Sequence, residues 1–501
     1  MKKLIAPVLI GTALITYSFA NEDISAQLEE MKKQIEELKA AQQSININAL
    51  NRQISEIKAH TGGDNVKFNI DFRTAYDHLD YKLNKNVPGV KDLSNGVWTN
   101  KLILNMSAQP RDDLVFRGAL GAYKLFGSNN SSAMNPYQAM DWYGTQSPSD
   151  TTIKLREAYF IYFGQMGEVD YTVSFGRRPS VDGFLVNLRE DNADPASPVG
   201  HNINMEFDGA SFMFNVEKLT GIAGMYFKLC LGRGNSKADT RYGAFTGYPM
   251  IPLDPHNFYQ PNYIKGDFDS ANMDLAGLLM QLYNDGQYTL MANLFKGWNM
   301  MGADIDELSP GNYSAKMKSV GDMTGGSLSL QVSGLSYEND FLMDTTVFAS
   351  YAFNKTDPKG THGVLNLNDG KSYPMKEMLG SPDKKTGHSF YAGVQIPGFL
   401  NQDKIGFEYN YGSKYWRSFT YGEDTLVGSK LATRGSAYET YYILPLLGKN
   451  LTAQIRYTYM DYKYTGSDMF FGQTGKPQKT SDTPGAVKSA SDLRLSLRYR
   501  Y

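Results

Sequence analysis

The stretch that decides the fold is SDLRLSLRYRY, residues 491–501. Its odd-numbered positions from Leu493 to Tyr501 are apolar, and its even-numbered positions from Asp492 to Arg500 are polar. Successive side chains of a strand point to opposite faces, so the stretch predicts a strand with one apolar face and one polar face. In a barrel that crosses a membrane, the apolar face meets lipid and the polar face meets a water-filled lumen.

The same period of two recurs toward the N-terminus. It is clear in residues 66–73, 169–175, 327–333, 404–411 and 451–459. About sixteen such segments begin near residues 66, 97, 113, 152, 169, 206, 222, 272, 287, 324, 342, 386, 402, 437, 449 and 491. We therefore predict an all-β transmembrane barrel of about sixteen antiparallel strands over residues 61–501, preceded by an N-terminal coiled-coil helix.

The connections between these segments alternate in length. The tight ones are Pro110–Asp112, Gly164–Glu168, Glu217–Gly221, Asn284–Gly286, Tyr337–Asp340, Gly398–Gln402 and Pro445–Asn450. Between them we expect polar loops of roughly twenty to forty residues. Outer-membrane barrels have short periplasmic turns, long outside loops and an even strand number, whereas a water-soluble sandwich gives no reason for this order.

The composition agrees with a barrel in lipid. Mean hydropathy is −0.42 and 41% of residues are hydrophobic, yet the chain has 34 tyrosines, 26 phenylalanines and 48 glycines. Half of each barrel strand faces water, which keeps mean hydropathy low, while aromatic residues gather at the membrane interfaces. Beyond residue 20 no apolar run approaches the ~18 residues of a transmembrane helix.

The first sixty residues predict two further segments. Residues 1–20 have the charges Lys2 and Lys3, an apolar run and small residues before Asn21, which is typical of a cleavable signal peptide. Residues 21–60 carry apolar positions at alternating spacings of four and three, which predicts a periplasmic coiled coil. We expect this helix to form a homotrimer; the alternative is that its apolar stripe packs on its own barrel.

Enzymatic and nucleic-acid functions have little support. Net charge is −2, which gives no general reason to expect nucleic acid as a partner. The single cysteine, Cys230, excludes an intramolecular disulfide, and we interpret it as a small apolar strand residue. Six scattered histidines form no HExxH motif, so we predict no catalytic residue, cofactor or metal. A pair of His201 with Asp191 or Asp194 is the remaining catalytic alternative. Residues 191–194 could supply oxygen ligands to Ca²⁺, but the sequence favours an ordinary acidic surface turn there.

The third outside loop, residues 179–204, is the candidate constriction. Sixteen strands leave an aqueous channel, so function depends on what narrows it. Residues 183–188 are apolar enough to pack rather than extend into solvent. The charged candidates that follow are Arg189, Glu190, Asp191 and Asp194. The alternative is an ordinary surface loop.

Alternation also predicts which charges line the lumen. The site candidates on the wall are Arg73, Arg117, Arg156, Arg178, Arg456, Arg494 and Arg498, with Lys67, Lys154, Lys404 and Arg500 on the same face. Acidic candidates are fewer: Asp71, Asp170, Asp274, Glu408 and Asp492. Rings of basic side chains favour anions, whereas solvated wall charge would give no selectivity. Glu157 falls on the lipid face with Leu155, Tyr159 and Ile161, unless a bulge or the barrel rim accounts for it.

A family resemblance rests on several of these features. The alternating segments and terminal aromatic resemble outer-membrane porins and the sorting signal that the outer-membrane insertion machinery reads; a chance amphipathic strand is the alternative. The stretches FGRRP at 175–179 and NLRE at 187–190 resemble coiled-coil-prefixed barrels of unknown function from epsilon-class proteobacteria. Resemblance to porins implies passive diffusion of small polar solutes, often through trimers.

We therefore predict an outer-membrane porin for small hydrophilic solutes, anions included, that contacts outer-membrane lipid and lipopolysaccharide. One alternative is a sleeve for a partner such as a multihaem cytochrome, which requires an open lumen. Another is a surface receptor or adhesin that uses loops 232–271 and 354–385.

Overall fold

A computed structural model describes most of the barrel region. The described residues are 66–85, 89, 91–126, 148–149, 151–178, 180–236, 272–375, 377–400, 402–420, 423–466, 471 and 474–501. The predicted signal peptide and coiled coil, and most of loop 232–271, lie outside them. The domain boundaries at residues 20 and 60 stay predictions.

Sixteen long strands lie in this part of the chain. They are β1 Lys67–Leu83, β2 Leu93–Arg111, β3 Leu114–Leu125, β4 Lys154–Met166, β5 Val169–Arg178, β8 Phe207–Asn215, β9 Tyr226–Asn235, β10 Met273–Asn284, β11 Tyr288–Ser309, β12 Asn312–Ser333, β13 Thr346–Pro358, β16 Thr386–Pro397, β17 Lys404–Gly412, β18 Gly435–Leu447, β19 Leu451–Tyr462 and β20 Val487–Arg500. The short elements are β6 Gly183–Phe184, β7 Ala196–Val199, β14 Val364–Asn366, β15 Ser372–Pro374, α1 Glu217–Thr220 and α2 Asp340–Met343. Neither helix has the length and hydrophobicity that crossing a bilayer requires, and the described residues contain no other candidate.

Hydrogen bonding closes these strands into a barrel. Each long strand pairs antiparallel with its neighbour along the chain, and β5 pairs directly with β8. β1 pairs with β2 on one side and with β20 on the other, where Arg73 lies opposite Arg498. The predicted closed barrel of sixteen antiparallel strands is therefore confirmed, and it satisfies the backbone of every strand without a free edge.

The faces of the barrel follow the alternation in the sequence. On β20, Leu493, Leu495 and Leu497 are 39–45% exposed, whereas Arg494 is 1% exposed. β19 repeats this pattern with Ile455 outside and Arg456 inside. An outer face of large apolar side chains around a polar interior is typical of a barrel that lies in lipid.

This outer face predicts a depth-dependent cost of charge. Ile455 lies well inside β19 and is 51% exposed, whereas Leu447, at the end of β18, is 69% exposed. We expect Ile455→Arg to lower the free energy of unfolding in lipid vesicles by about 2–4 kcal/mol and Leu447→Arg by about 0–1 kcal/mol. Urea titration of vesicle-folded protein measures both. Equal costs at the two positions would contradict the assignment of the outer face to lipid.

The predicted tight turns are present, but two predicted long loops are not. β11 and β12 meet through Pro310 and Gly311, and their register runs to Ser309 opposite Asn312. The polar residues on either side of this turn look like a loop in the sequence, but they continue β11 and β12. A hairpin that extends beyond the membrane needs no apolar face, so its strands lack the alternation that would reveal them. β1 and β2 are joined by residues 84–92, which is also shorter than predicted.

A bulge in β4 explains why Glu157 need not lie on the lipid face, where its parity with Leu155 would place it. Ala119 pairs with Glu157 and Leu120 pairs with Leu155, so Arg156 is the extra residue. Leu155 faces outward at 47% exposed, but Tyr159 is only 5% exposed and lies inside. The predicted outward position of Tyr159 was therefore wrong, because a bulge shifts the alternation by one residue.

Candidate functional site

Two loops fold into the barrel. Residues 180–206, here loop A, join β5 to β8. Gln395 of β16 donates a hydrogen bond to the Leu188 carbonyl at 3.2 Å, and Gln454 of β19 donates to the Arg189 carbonyl at 2.8 Å. Both strands lie on the far side of the barrel from β5 and β8. A loop that reaches their inner faces must cross the lumen.

His201 anchors the returning half of loop A. Its ring nitrogens lie 2.7 Å from the Ser350 hydroxyl and 2.8 Å from the Ser389 hydroxyl, on β13 and β16. The ring also packs against Tyr391 and Trp416 at centroid distances of 5.5 and 5.7 Å. Burial lowers the pKa of His201 to about 3, so the imidazole stays neutral at physiological pH.

The neutral histidine predicts a pH-dependent stability. The unfolded chain binds a proton at His201 near pH 6.5, whereas the folded chain does so only near pH 3. The contribution of neutral His201 to the free energy of unfolding is therefore complete above about pH 6.5. It falls by roughly 1 kcal/mol per pH unit below that value. We expect His201→Gln to remove this slope between pH 6.5 and 4, measured by urea titration at each pH. Parallel profiles for the two proteins would contradict the prediction.

Residues 413–434, here loop B, join β17 to β18 and also lie inside. Trp416 is fully buried, and its indole nitrogen donates to the Leu431 carbonyl at 2.7 Å. The backbone of Phe419 exchanges hydrogen bonds with loop A, donating to Asn202 at 2.8 Å and accepting from Asn204 at 2.6 Å. The two loops therefore form one body within the lumen.

Asp424 fixes loop B to the neighbouring wall strands β20, β1 and β2. Its carboxylate accepts from Arg73 of β1 at 2.5 Å, Lys101 of β2 at 2.9 Å and Arg494 of β20 at 2.9 Å. Tyr123 of β3 adds a hydroxyl at 3.4 Å. Burial by itself would raise the pKa of Asp424, but the three cations outweigh burial and hold it well below its usual range.

Arg189 is the centre of the second charge cluster. Its guanidinium is fully buried and meets Glu190 at 2.9 Å, Glu423 of loop B at 2.8 Å and Glu439 of β18 at 3.4 Å. Lys430 of loop B also contacts Glu439. One arginine therefore links loop A, loop B and the wall in a region from which water is excluded.

The middle of loop A is held by the last wall strands. Glu190 lies 3.4 Å from the Arg456 guanidinium, and its carbonyl accepts from Arg498 at 2.9 Å. Arg498 also donates to Asp71 at 2.8 Å. Asp191 accepts from Lys404 at 3.0 Å, so its carboxylate belongs to this anchor.

The structure brings together most of the predicted site residues. Those in the buried network are Arg73, Arg189, Glu190, Arg456 and Arg494, with Asp191 and Arg498 at its edge. Arg156 is buried against Glu206 at 2.9 Å. Arg178 lies over the Tyr159 ring at 5.0 Å. Arg117 and Asp194 are exposed and take no part in the network.

The predicted shortage of acidic lumen residues was wrong. Asp170 and Asp274 form exposed pairs with Lys218 and Arg233. The network carboxylates that the prediction missed are Asp77, Glu206, Glu423, Asp424 and Glu439. Alternation on β1 and β18 could have found Asp77 and Glu439. The loop residues have no periodic signal, so their inward position could not be recognised.

These observations define the class of the molecule: a closed sixteen-stranded antiparallel β-barrel with an apolar exterior and two loops within its lumen. The chain belongs to the family described as "Protein of unknown function (DUF3373)", whose model matches residues 91–501. The narrower resemblance to barrels of epsilon-class proteobacteria stays a prediction.

Comparison with the curated proteins gave no match. Among solved structures, OprB of Pseudomonas putida aligns with a TM-score of 0.46 at 12% identity, covering 89% of this chain and 96% of that one. An anion-selective porin from Comamonas acidovorans has a TM-score of 0.44 at 10% identity, covering 87% and 99%. OmpF of Salmonella typhi in complex with daunomycin has a TM-score of 0.42 at 10% identity, covering 87% and 98%.

Proposed function

We propose that this protein is a passive channel for small hydrophilic solutes in a bacterial outer membrane, narrowed by loops A and B. The observation that carries the proposal is the path of loop A across a barrel with an apolar exterior. Ion pairs of Arg189 and Glu190 hold that path on the wall. A fixed loop inside a barrel of this size converts a wide tube into a size-limiting passage.

Selectivity depends on the charges that the network leaves free. Most lumen arginines are paired with carboxylates, so their fields largely cancel. Arg117 and Arg178 have no carboxylate within ion-pair distance among the described residues. We propose that these two give the channel a weak preference for anions. The reversal potential in a salt gradient should move toward zero in the Arg117→Gln, Arg178→Gln double variant.

The two alternatives are less well supported. A sleeve for a partner protein needs the lumen space that loops A and B occupy. A surface receptor would use outside loops, of which residues 354–385 include β14 and β15 beside the extended β11. A homotrimer formed through the coiled coil remains our proposal for assembly, and crosslinking of the full mature chain tests it.

Single-channel conductance in planar bilayers tests the proposed function. The mature protein should give small, uniform steps, and deletion of residues 184–194 should enlarge them. As a matched control, deletion of residues 367–371, between β14 and β15, should leave the step size unchanged. A correctly folded protein without channel activity would contradict the channel. Equal steps with and without residues 184–194 would contradict the constriction.

A further inference from the structure

A small cavity lies between loop A and the wall strands β8–β11. Its volume is about 80 Å³. Apolar side chains form most of its lining: Ile203, Phe207, Leu275, Leu279 and Phe295. Leu275, Leu279 and Phe295 point inward and are less than 9% exposed. The cavity is therefore a largely apolar recess beside loop A.

One edge of this recess is polar. Arg178, Ser180, Ser211 and Cys230 line it. Ser211 lies opposite Cys230 in the register of β8 and β9. The hydroxyls of Ser180 and Ser211 are buried without a hydrogen-bond partner in the described part of the chain. Unsatisfied buried hydroxyls are costly, so these two are available to a ligand that brings an acceptor.

Arg178 supplies a cation at this edge. Its guanidinium contacts the Ser174 hydroxyl, and Ser174 lies opposite Ser211 in the register of β5 and β8. The adjacent Arg177 is ion-paired with Glu206 at 3.4 Å and Asp208 at 3.3 Å. No carboxylate among the described residues lies within ion-pair distance of Arg178. A half-buried guanidinium of this kind favours an anionic ligand.

We propose that the cavity binds a small aliphatic monocarboxylate, with its hydrocarbon tail among the apolar side chains and its carboxylate on Arg178 and the serine hydroxyls. A cavity of about 80 Å³ holds roughly five water-sized groups, which matches a chain of about four carbons. The proposal names a solute class for the channel proposed above, but binding at the cavity does not require conduction.

Calorimetric titration of the full mature protein, folded in detergent, tests this site with butyrate as the probe. Butyrate should bind about fifteenfold more tightly than acetate, because it buries two more methylene groups. Butyramide, which has the same tail and no charge, should bind at least about tenfold more weakly than butyrate. Equal binding of acetate and butyrate, or of butyramide and butyrate, would overturn the proposal.

Variants separate the two parts of the site. Arg178→Gln should weaken butyrate binding about tenfold or more, whereas Arg111→Gln, which removes an exposed charge outside the cavity, should not. Ser211→Leu should fill the recess and abolish the advantage of butyrate over acetate. If that variant does not fold, Leu279→Ala provides a second test. It enlarges the recess and should therefore increase the affinity for hexanoate relative to that for butyrate. Equal losses in Arg178→Gln and Arg111→Gln, or no change in chain-length preference, would overturn the assignment.

The result of the butyrate titration can be distinguished from the result of the single-channel experiment. Chain-length-dependent binding without bilayer current would support the cavity and contradict the channel. Current without butyrate binding would contradict the cavity and leave the channel in place.

Discussion

Replacement of Asp424 by asparagine should lower the free energy of unfolding by about 3–5 kcal/mol, one of the largest effects that a single substitution here can have. Asparagine keeps the shape of the side chain but removes the negative charge that Arg73, Lys101 and Arg494 share. These cations would then be buried with less compensation. Urea titration of the folded barrel, followed by tryptophan fluorescence and electrophoretic mobility, measures the change.

Asp274→Asn is the matched control. Asp274 also pairs with an arginine, Arg233, at 2.7 Å, but both side chains are more than 40% exposed. Water screens such a pair, so its loss should cost less than about 1 kcal/mol. Similar losses in Asp424→Asn and Asp274→Asn would show that loop B is not held by a buried charge cluster.

The second large effect is expected from Arg189→Met. Methionine fills much of the same volume but leaves Glu190, Glu423 and Glu439 close together without their shared cation. Loss of this cation should destabilise the closed position of loop A by about 3–5 kcal/mol. States in which loop A leaves the wall should then become at least about a hundredfold more populated. Single-channel recordings should show frequent transitions to larger conductance steps, whereas we expect uniform steps from the unmodified protein.

Lys404→Met provides the comparison for this variant. Lys404 also contacts loop A, through Asp191 at 3.0 Å, but its side chain is 43% exposed. Its removal should leave the conductance steps uniform because exposed pairs contribute little. Uniform steps in Arg189→Met as well would contradict the role of Arg189 in holding loop A.

The barrel itself was predictable from the sequence because lipid imposes a simple rule. Side chains must alternate between lipid and lumen, and β20 follows this rule from Asp492 to Tyr499. The positions at which the strands begin, the tight turns between them and the closure of the barrel all follow from this alternation. The rule fails locally at Arg156, where one inserted residue changes the phase for the rest of β4.

The candidate site was predictable only in part. Wall residues such as Arg456 and Arg494 follow from alternation, and the apolar run in loop A indicated packing. Loop B gave no comparable signal, because Asp424 and Lys430 resemble ordinary loop charges in the sequence. Their roles depend on partners far away in the chain, such as Arg73, which only the closed barrel brings near.

Crosslinking inside the folded barrel tests the path of loop A through the lumen. Asn202 of loop A and Asn293 of β11 exchange side-chain hydrogen bonds of 3.2 and 2.9 Å. In a Cys230→Ser background, we expect the pair Asn202→Cys and Asn293→Cys to be bridged by a short bis-thiosulfonate reagent in the folded protein. Pairing Asn202→Cys with Leu294→Cys, which lies one residue further and faces outward at 50% exposed, should give no bridge. A bridge to position 294 but not to position 293 would place loop A outside the barrel and contradict the account.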